Sequence, residues 1–226
     1  MATLNSTPKR IFAGIAAAAV LAVPLAACSR EDDASSTSSS SSSSAPAPKA
    51  VAAIDALSGE STAIALDKGF TDALTALKLT PGVTGDAKLT DGSLVFPITG
   101  GNVSVFKPGS VPNYVVGQIQ HEGSGLSLAA GGTKVELTNL NVDPGVSRVY
   151  GDVSVNGKVA ATSAYLFELN GSTLKPLQTE GDTAILEGTK VSISDVAAPV
   201  LNEVFKTDAV KPGLLVGIAK ITVNTK

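Results

Sequence analysis

The chain has 226 residues, a formal net charge of −3, one histidine and one cysteine. The weakly acidic balance excludes a basic nucleic-acid surface, and a lone cysteine excludes an internal disulfide framework. The absence of tryptophan, the 22 glycines and the abundance of Ala, Ser, Thr and Val favour short strands and tight turns over long helices.

Met1 to Arg10 carries Lys9 and Arg10 and no acid, and Ile11 to Leu25 is apolar and alanine-rich. This is the charged start and apolar centre of a secretory signal. The run is too short and too poor in leucine for a spanning helix, which needs about 20 apolar residues. It closes in Leu25-Ala26-Ala27-Cys28, which resembles a bacterial lipobox. The resemblance implies that residues 1–27 are removed and that a diacylglyceryl group is attached to the Cys28 sulfur. Two or three acyl chains hold a protein firmly at a bilayer, at about 0.8 kcal/mol per buried methylene. The expected location is therefore the extracytoplasmic face of the cell membrane, and a lipidated Cys28 leaves the rest of the chain without a thiol.

Residues 28–50 form the expected tether. Ser29 to Ala50 reads SREDDASSTSSSSSSSAPAPKA, with no apolar periodicity and nothing to bury. Such a segment is expected to stay disordered. As a flexible coil it spans about 25 Å, and fully stretched about 70–80 Å. Residues 51–226 are long enough for a single domain with its own core.

Two stretches of that domain share a pattern. Residues 62–90 and 189–222 each begin with an alternating strand, carried by Ile64/Leu66 and by Val191/Ile193. A capping residue follows, Asp67 or Ser194, whose side-chain oxygen can accept from free helix amides. Phe70/Leu74/Leu77 and Val200/Leu201/Val204/Phe205 give each unit a short apolar-faced helix. A Pro-Gly pair, Pro81-Gly82 or Pro212-Gly213, predicts a turn, and a G-x-A-K-x-T strand resumes at Gly85 and at Gly217. The shared steps predict two strand–helix–strand units of similar shape.

The chain between them reads as strands. Leu94 to Ile98 is apolar, and its Pro97 marks an edge or a bulge. Further strands are expected at Asn102 to Phe106, Tyr114 to His121, Gly125 to Ala129, Thr133 to Val142, Val149 to Val155 and Ala161 to Leu169. Gly123-Ser124-Gly125, Gly131-Gly132, Asp143-Pro144-Gly145, Asn156-Gly157 and Asn170-Gly171 read as the turns between them, the Asn-Gly pairs most strongly. The fold expected is mainly β: an antiparallel β-sandwich or barrel with two short helices, one in each terminal strand–helix–strand unit.

Few routes to chemistry remain. A metal site needs several converging ligands, and one histidine without a free thiol leaves only carboxylates. There is no G-x-S-x-G elbow and no phosphate loop or dinucleotide fingerprint. His121 and Glu122 are neighbours on one strand, so they point to opposite faces and form no acid–base couple. His121 reads either as a turn residue bonding its own loop or as a ligand-binding residue. Tyr114, Tyr150 and Tyr165 read as half-buried strand aromatics or as ligand contacts.

The stretch Gly117 to Leu128, with Val135-Glu136-Leu137-Thr138-Asn139 and the Val149-Tyr150-Gly151-Asp152-Val153 strand, is similar to part of the HtaA-like domain of actinobacterial surface proteins. Phe96-Pro97-Ile98-Thr99-Gly100-Gly101 resembles a segment that precedes this pattern in secreted bacterial proteins. The resemblance covers about half the folded domain. It implies a haem site with a tyrosine ligand supported by histidine. His121 lands on a motif position; the family's tyrosine segment has Phe70 here, so Tyr114, Tyr150 and Tyr165 are the possible substitutes, and Tyr114 and Tyr150 are taken with His121 as the candidate ligand-binding residues. The sequence thus predicts a lipid-anchored envelope lipoprotein whose domain is a non-enzymatic binding or structural module. It predicts no resident cofactor. Its partners are the membrane through Cys28 and an envelope protein, polysaccharide or small apolar ligand. The alternative is haem or another apolar ligand around His121, and a hydrolase stands behind both.

Overall fold

The structure is a computed structural model that describes residues 47–226; the leader, Cys28 and the serine-rich segment up to residue 46 lie outside the described residues. The described chain opens with β1 (Ala50–Ile54) and β2 (Glu60–Leu66), followed by α1 (Lys68–Ala76). Then come β3 (Thr80–Gly85), β4 (Lys88–Thr90), β5 (Ser93–Pro97) and β6 (Gly100–Phe106). Four long strands follow: β7 (Val115–Ala130), β8 (Thr133–Asp143), β9 (Arg148–Val155) and β10 (Lys158–Asn170). The last part holds β11 (Gln178–Glu180), β12 (Thr183–Ile193), α2 (Ala197–Phe205) and β13 (Leu215–Asn224).

These strands make one 13-stranded sheet in the order β1-β6-β7-β8-β9-β10-β12-β13-β2-β5-β4, with β11 beside β12 and β3 on the far half of β7. Every pairing is antiparallel. The mainly β, antiparallel fold with two short helices is thus the one the sequence predicts. The sheet rolls until the end of β5 meets β7 again. The Thr99 amide donates to the Gln120 carbonyl at 2.9 Å, and His121 Nδ1 lies 2.9 Å from the Pro97 carbonyl. Eight strands, β7 to β10, β12, β13, β2 and β5, therefore enclose the interior. An eight-stranded enclosure is just wide enough to be filled by side chains or to hold one small ligand.

The curvature comes from bulges placed side by side. The β7/β8 register slips between His121 and Gly125, the β8/β9 register between Thr138 and Asn141, and the β9/β10 register between Ala161 and Ala164. The bulges add two residues to β7 and one each to β8 and β10, and they bend those strands. The bulge in β8 also shifts the inward phase: Val135 and Leu137 are buried before it, Leu140 and Val142 after it. Asn139 takes the extra position with φ +52°. Its Oδ1 accepts from the Gly123 amide at 3.0 Å and its Nδ2 donates to Asp152 Oδ2 at 2.9 Å. Asp152 Oδ1 in turn accepts from the Ser163 amide at 3.0 Å. One hydrogen-bonded line thus crosses four strands and satisfies amides that the bulges free from the ladder.

The two helices pack together at one end. Asp67 caps α1, its Oδ1 accepting from the amides of Gly69 and Phe70 at 2.8 and 3.3 Å. Ser194 Oγ accepts from the Ala197 amide at 2.9 Å and donates to the Tyr165 carbonyl at 2.7 Å, which ties the start of α2 to β10. Phe70, Leu74, Leu128, Ile193, Leu201 and Phe205 fill this end and leave a void of only about 20 Å³. No helix among the described residues is long and apolar enough to cross a membrane.

Two turns expected from sequence are not turns. Pro81-Gly82 lies within β3, paired with Leu128 and Ser127 of β7. Pro81 is tolerated because β3 has a partner on one side only, and a Cβ on Gly82 would stand 2.8 Å from Ser127 Oγ. Gly123-Ser124-Gly125 does not reverse the chain but forms the bulge inside the 16-residue β7. In the strand–helix–strand units, the strand after α1 pairs with β7, whereas the strand after α2 pairs with β12 and β2. Gly85 to Thr90 runs from the end of β3 through β4, while Gly217 to Thr222 lies inside β13.

Asn139→Ala removes both side-chain bonds at the bulge and puts a poor residue at positive φ. The expected loss is about 1–3 kcal/mol, read as a lower urea midpoint. Asn139→Gly, which keeps the backbone conformation, should lose less.

Candidate functional site

Opposite the packed helical end, the rolled sheet is hollow. The cavity has a volume of about 660 Å³. Its walls come from alternate residues of the enclosing strands and from β1 and β6. Ile64, Phe96, Ile119, Val142, Phe167 and Val216 are among them, and among the described residues no Asp, Glu, Lys or Arg lines it. Asn113, Ser172, Thr179 and Thr225 are exposed lining residues and so mark its mouth. The deepest polar groups are Thr62 and His121, 4% and 1% exposed.

His121 sits where the hollow half of β7 passes into the packed half. Ile119 and Leu126 face the cavity, whereas Leu128 belongs to the helical end. The Pro97 carbonyl can only accept, so Nδ1 carries the proton and donates to it. That leaves Nε2 with its lone pair, buried and without a partner among the described residues. The Phe96 ring lies tilted against the imidazole, centroid to centroid 6.1 Å. Burial lowers the His121 pKa below its ordinary 6.5, and the bond to Pro97 offsets only part of this. The ring is therefore neutral at pH 7. His121 is not the turn residue bonding its own loop that the sequence suggested. The bulge keeps β7 running through it, and its partner Pro97 belongs to β5.

The structure gathers only some of the candidate residues. Tyr114 and His121 both line the cavity. Tyr150 is not among the lining residues; its neighbour Val149 is, and strand alternation turns Tyr150 to the other face. There it packs against Tyr165 with centroids 6.0 Å apart, and the Arg148 guanidinium stands 4.5 Å above the Tyr165 ring. Glu122 is exposed, on the face opposite His121. Among the described residues no three His, Cys, Asp or Glu side chains converge as a metal site would require. Thr62 and Phe96 are site residues the sequence did not single out. Their signal was the alternation of Thr62/Ile64 and Leu94/Phe96, which puts each pair on one face.

No family model and no curated protein matches the sequence. Among solved structures, the C-terminal domain of HtaA from Corynebacterium glutamicum is similar in fold, with a TM-score of 0.51 at 15% identity. The match covers 75% of this chain and 98% of that domain. The fold is HtaA-like. A domain-swapped dimer of a variant of the same domain also matches, with a TM-score of 0.44 at 15% identity, over 70% of this chain and 90% of that one. At this identity the HtaA-like resemblance is one of fold.

The buried neutral histidine makes stability depend on pH. With its folded pKa below 6.5, His121 binds fewer protons folded than unfolded, so its contribution is full above about pH 6.5 and declines as pH falls through and below it. Because it is the only histidine, the denaturation midpoint should drop between pH 7.5 and 5.5, and His121→Gln should flatten that drop.

Proposed function

We propose that this chain is a lipid-anchored lipoprotein of the cell envelope whose domain is a non-enzymatic binding module, taking an apolar ligand inside the rolled sheet. The observation that carries this is the uncharged cavity of about 660 Å³. Its size falls within the roughly 300–1,000 Å³ of small-molecule sites. Each methylene moved from water into such a lining contributes about 0.8 kcal/mol. The absence of a nucleophile against His121 supports a binding role. Its only hydrogen bond runs to a backbone carbonyl, and Nε2 has neither hydroxyl nor carboxylate partner among the described residues. The lipobox-like Leu25-Ala26-Ala27-Cys28 supports anchorage at the extracytoplasmic face of the membrane, with the serine-rich segment as the tether that holds the cavity away from it.

Haem, which the HtaA-like resemblance implies, is the second reading. The specific observation in its favour is the unpartnered Nε2 of His121, fixed by the Pro97 bond as a lone-pair donor. The rest of the lining does not fit the group. Haem brings two propionates, and among the described residues no lysine or arginine lines the cavity to meet them. Bringing an unpaired carboxylate to that depth costs several kcal/mol.

Nile red, a neutral apolar dye, should bind the full-length protein at one site with a blue-shifted, saturable emission. Val105→Trp, which fills the cavity from β6, should weaken it at least tenfold. Haemin titrated in parallel should give no Soret band that depends on His121. A Soret band lost in His121→Ala would move haem to first place, and a protein that binds neither molecule would reject the binding-module reading.

A further inference from the structure

The cavity's chemistry narrows its ligand to one class. This inference rests on the binding reading above and deepens it. We propose that the natural ligand is a neutral acyl lipid of the acylglycerol class, its hydrocarbon chains inside the rolled sheet and its uncharged head at the mouth.

Three observations carry it. The first is the distribution of polar groups along the cavity. The floor is Phe96 with Thr62 and His121, all nearly inaccessible, and the walls above it are mostly Ile, Val, Leu and Ala from the enclosing strands and from β1 and β6. Among the described lining residues the polar ones most exposed to solvent are Asn113, Ser172, Thr179 and Thr225, with Tyr114, Ser147 and Thr189 half-buried, and all are uncharged. A long apolar interior under a rim of hydroxyls and an amide matches a molecule that is hydrocarbon for most of its length and carries neutral hydroxyl or ester groups at one end. Fatty acids and phosphatidylglycerol carry an anionic head at about pH 7, and among the described residues no lining side chain supplies a cation for it.

The second observation is that His121 is locked neutral. The Pro97 carbonyl takes its Nδ1 proton, and burial disfavours protonation at Nε2. The floor therefore offers no positive charge to a ligand at neutral pH. Thr62 Oγ1 is buried and unpartnered as well, so the floor's two polar side chains are both uncharged.

The third is that the interior is built to stay open. The helical end of the same sheet closes to a void of about 20 Å³, whereas the other end keeps about 660 Å³. Folded interiors are close-packed, and a large void forfeits the contacts of its lining. Small residues stand where large ones would fill the space: Ala184 and Ala219 face the cavity from β12 and β13. A cavity with so apolar a lining favours the uptake of apolar molecules.

The test uses the full-length chain with Cys28→Ser, so that no lipid attached to the protein itself competes. The protein is incubated separately with dioleoylglycerol, oleic acid, dioleoyl phosphatidylglycerol and haemin, and bound species are counted by native mass spectrometry. Dioleoylglycerol should give a one-to-one complex and displace Nile red, with oleate and the phospholipid at least tenfold weaker at pH 7.5. Ala184→Phe and Val105→Trp, which enter the cavity from two different walls, should each reduce dioleoylglycerol binding at least tenfold. Their folding is checked by thermal unfolding, and either variant alone suffices. Tyr150→Ala, on the outer face, should bind as the parent does. Nile red binding without dioleoylglycerol binding would overturn the lipid assignment and leave the apolar-site reading standing. Tighter binding of oleate, phospholipid or haemin would also overturn it, as would dioleoylglycerol binding unchanged in both filled variants. Loss of every ligand, dye included, would reject the site itself.

Discussion

The hydrogen bond between the His121 ring and the Pro97 carbonyl is the constraint on which the rest of the structure depends. It lies at the seam where the rolled sheet meets itself, beside the Thr99 to Gln120 backbone bond. An antiparallel sheet that fails to close exposes edge amides and carbonyls and leaves its inner face wet. Closure turns the inner face into a compartment. The same bond fixes the histidine tautomer, holds the ring against Phe96 and leaves Nε2 as a buried acceptor. One contact therefore serves both the architecture and the chemistry of the cavity floor.

Closure is possible only because the sheet is bent beforehand. The bulges in β7, β8 and β10 lie side by side and are tied by the Gly123–Asn139–Asp152–Ser163 line of hydrogen bonds. They do two things at once. They curl the sheet, and they shift the side-chain phase so that each strand keeps apolar residues inward on both sides of the bend. Without the shift in β8, Leu140 and Val142 would face water, and the cavity would lose two lining residues. The surface ion pairs add little to this. Lys68–Asp72, Lys134–Glu136, Lys175–Glu187 and Lys226–Asp182 are all exposed to solvent on at least one partner, and pairs of that kind contribute little stability.

Much of the strand pattern was legible because alternation and turn chemistry are local. Asn156-Gly157 and Gly131-Gly132 reverse the chain between β9 and β10 and between β7 and β8, as their tolerance of positive φ predicts. Asp67 caps α1 by the bonds its side chain can offer no matter what surrounds it. The misreadings share a cause. Glycine and proline permit a turn but do not compel one. At Gly123-Ser124-Gly125 the freedom of glycine is spent on a bulge, and at Pro81-Gly82 a one-sided strand position absorbs the missing amide. Both outcomes depend on partners distant in sequence.

The sequence by itself determined the antiparallel β class, the two capped helices and the expectation of an exported, lipid-anchored chain. It also determined how little catalytic equipment residues 51–226 carry, with one histidine and no cysteine. Only the tertiary structure decided what the histidine does. Its partner lies 24 residues away on another strand, and its burial depends on a closure that no local pattern records. The tertiary structure also decided that Tyr114 shares the cavity with His121 while Tyr150 turns outward to Tyr165 and Arg148. The physical reason is that strand periodicity fixes which residues share a face, whereas bulge placement and sheet closure decide which face becomes the inside.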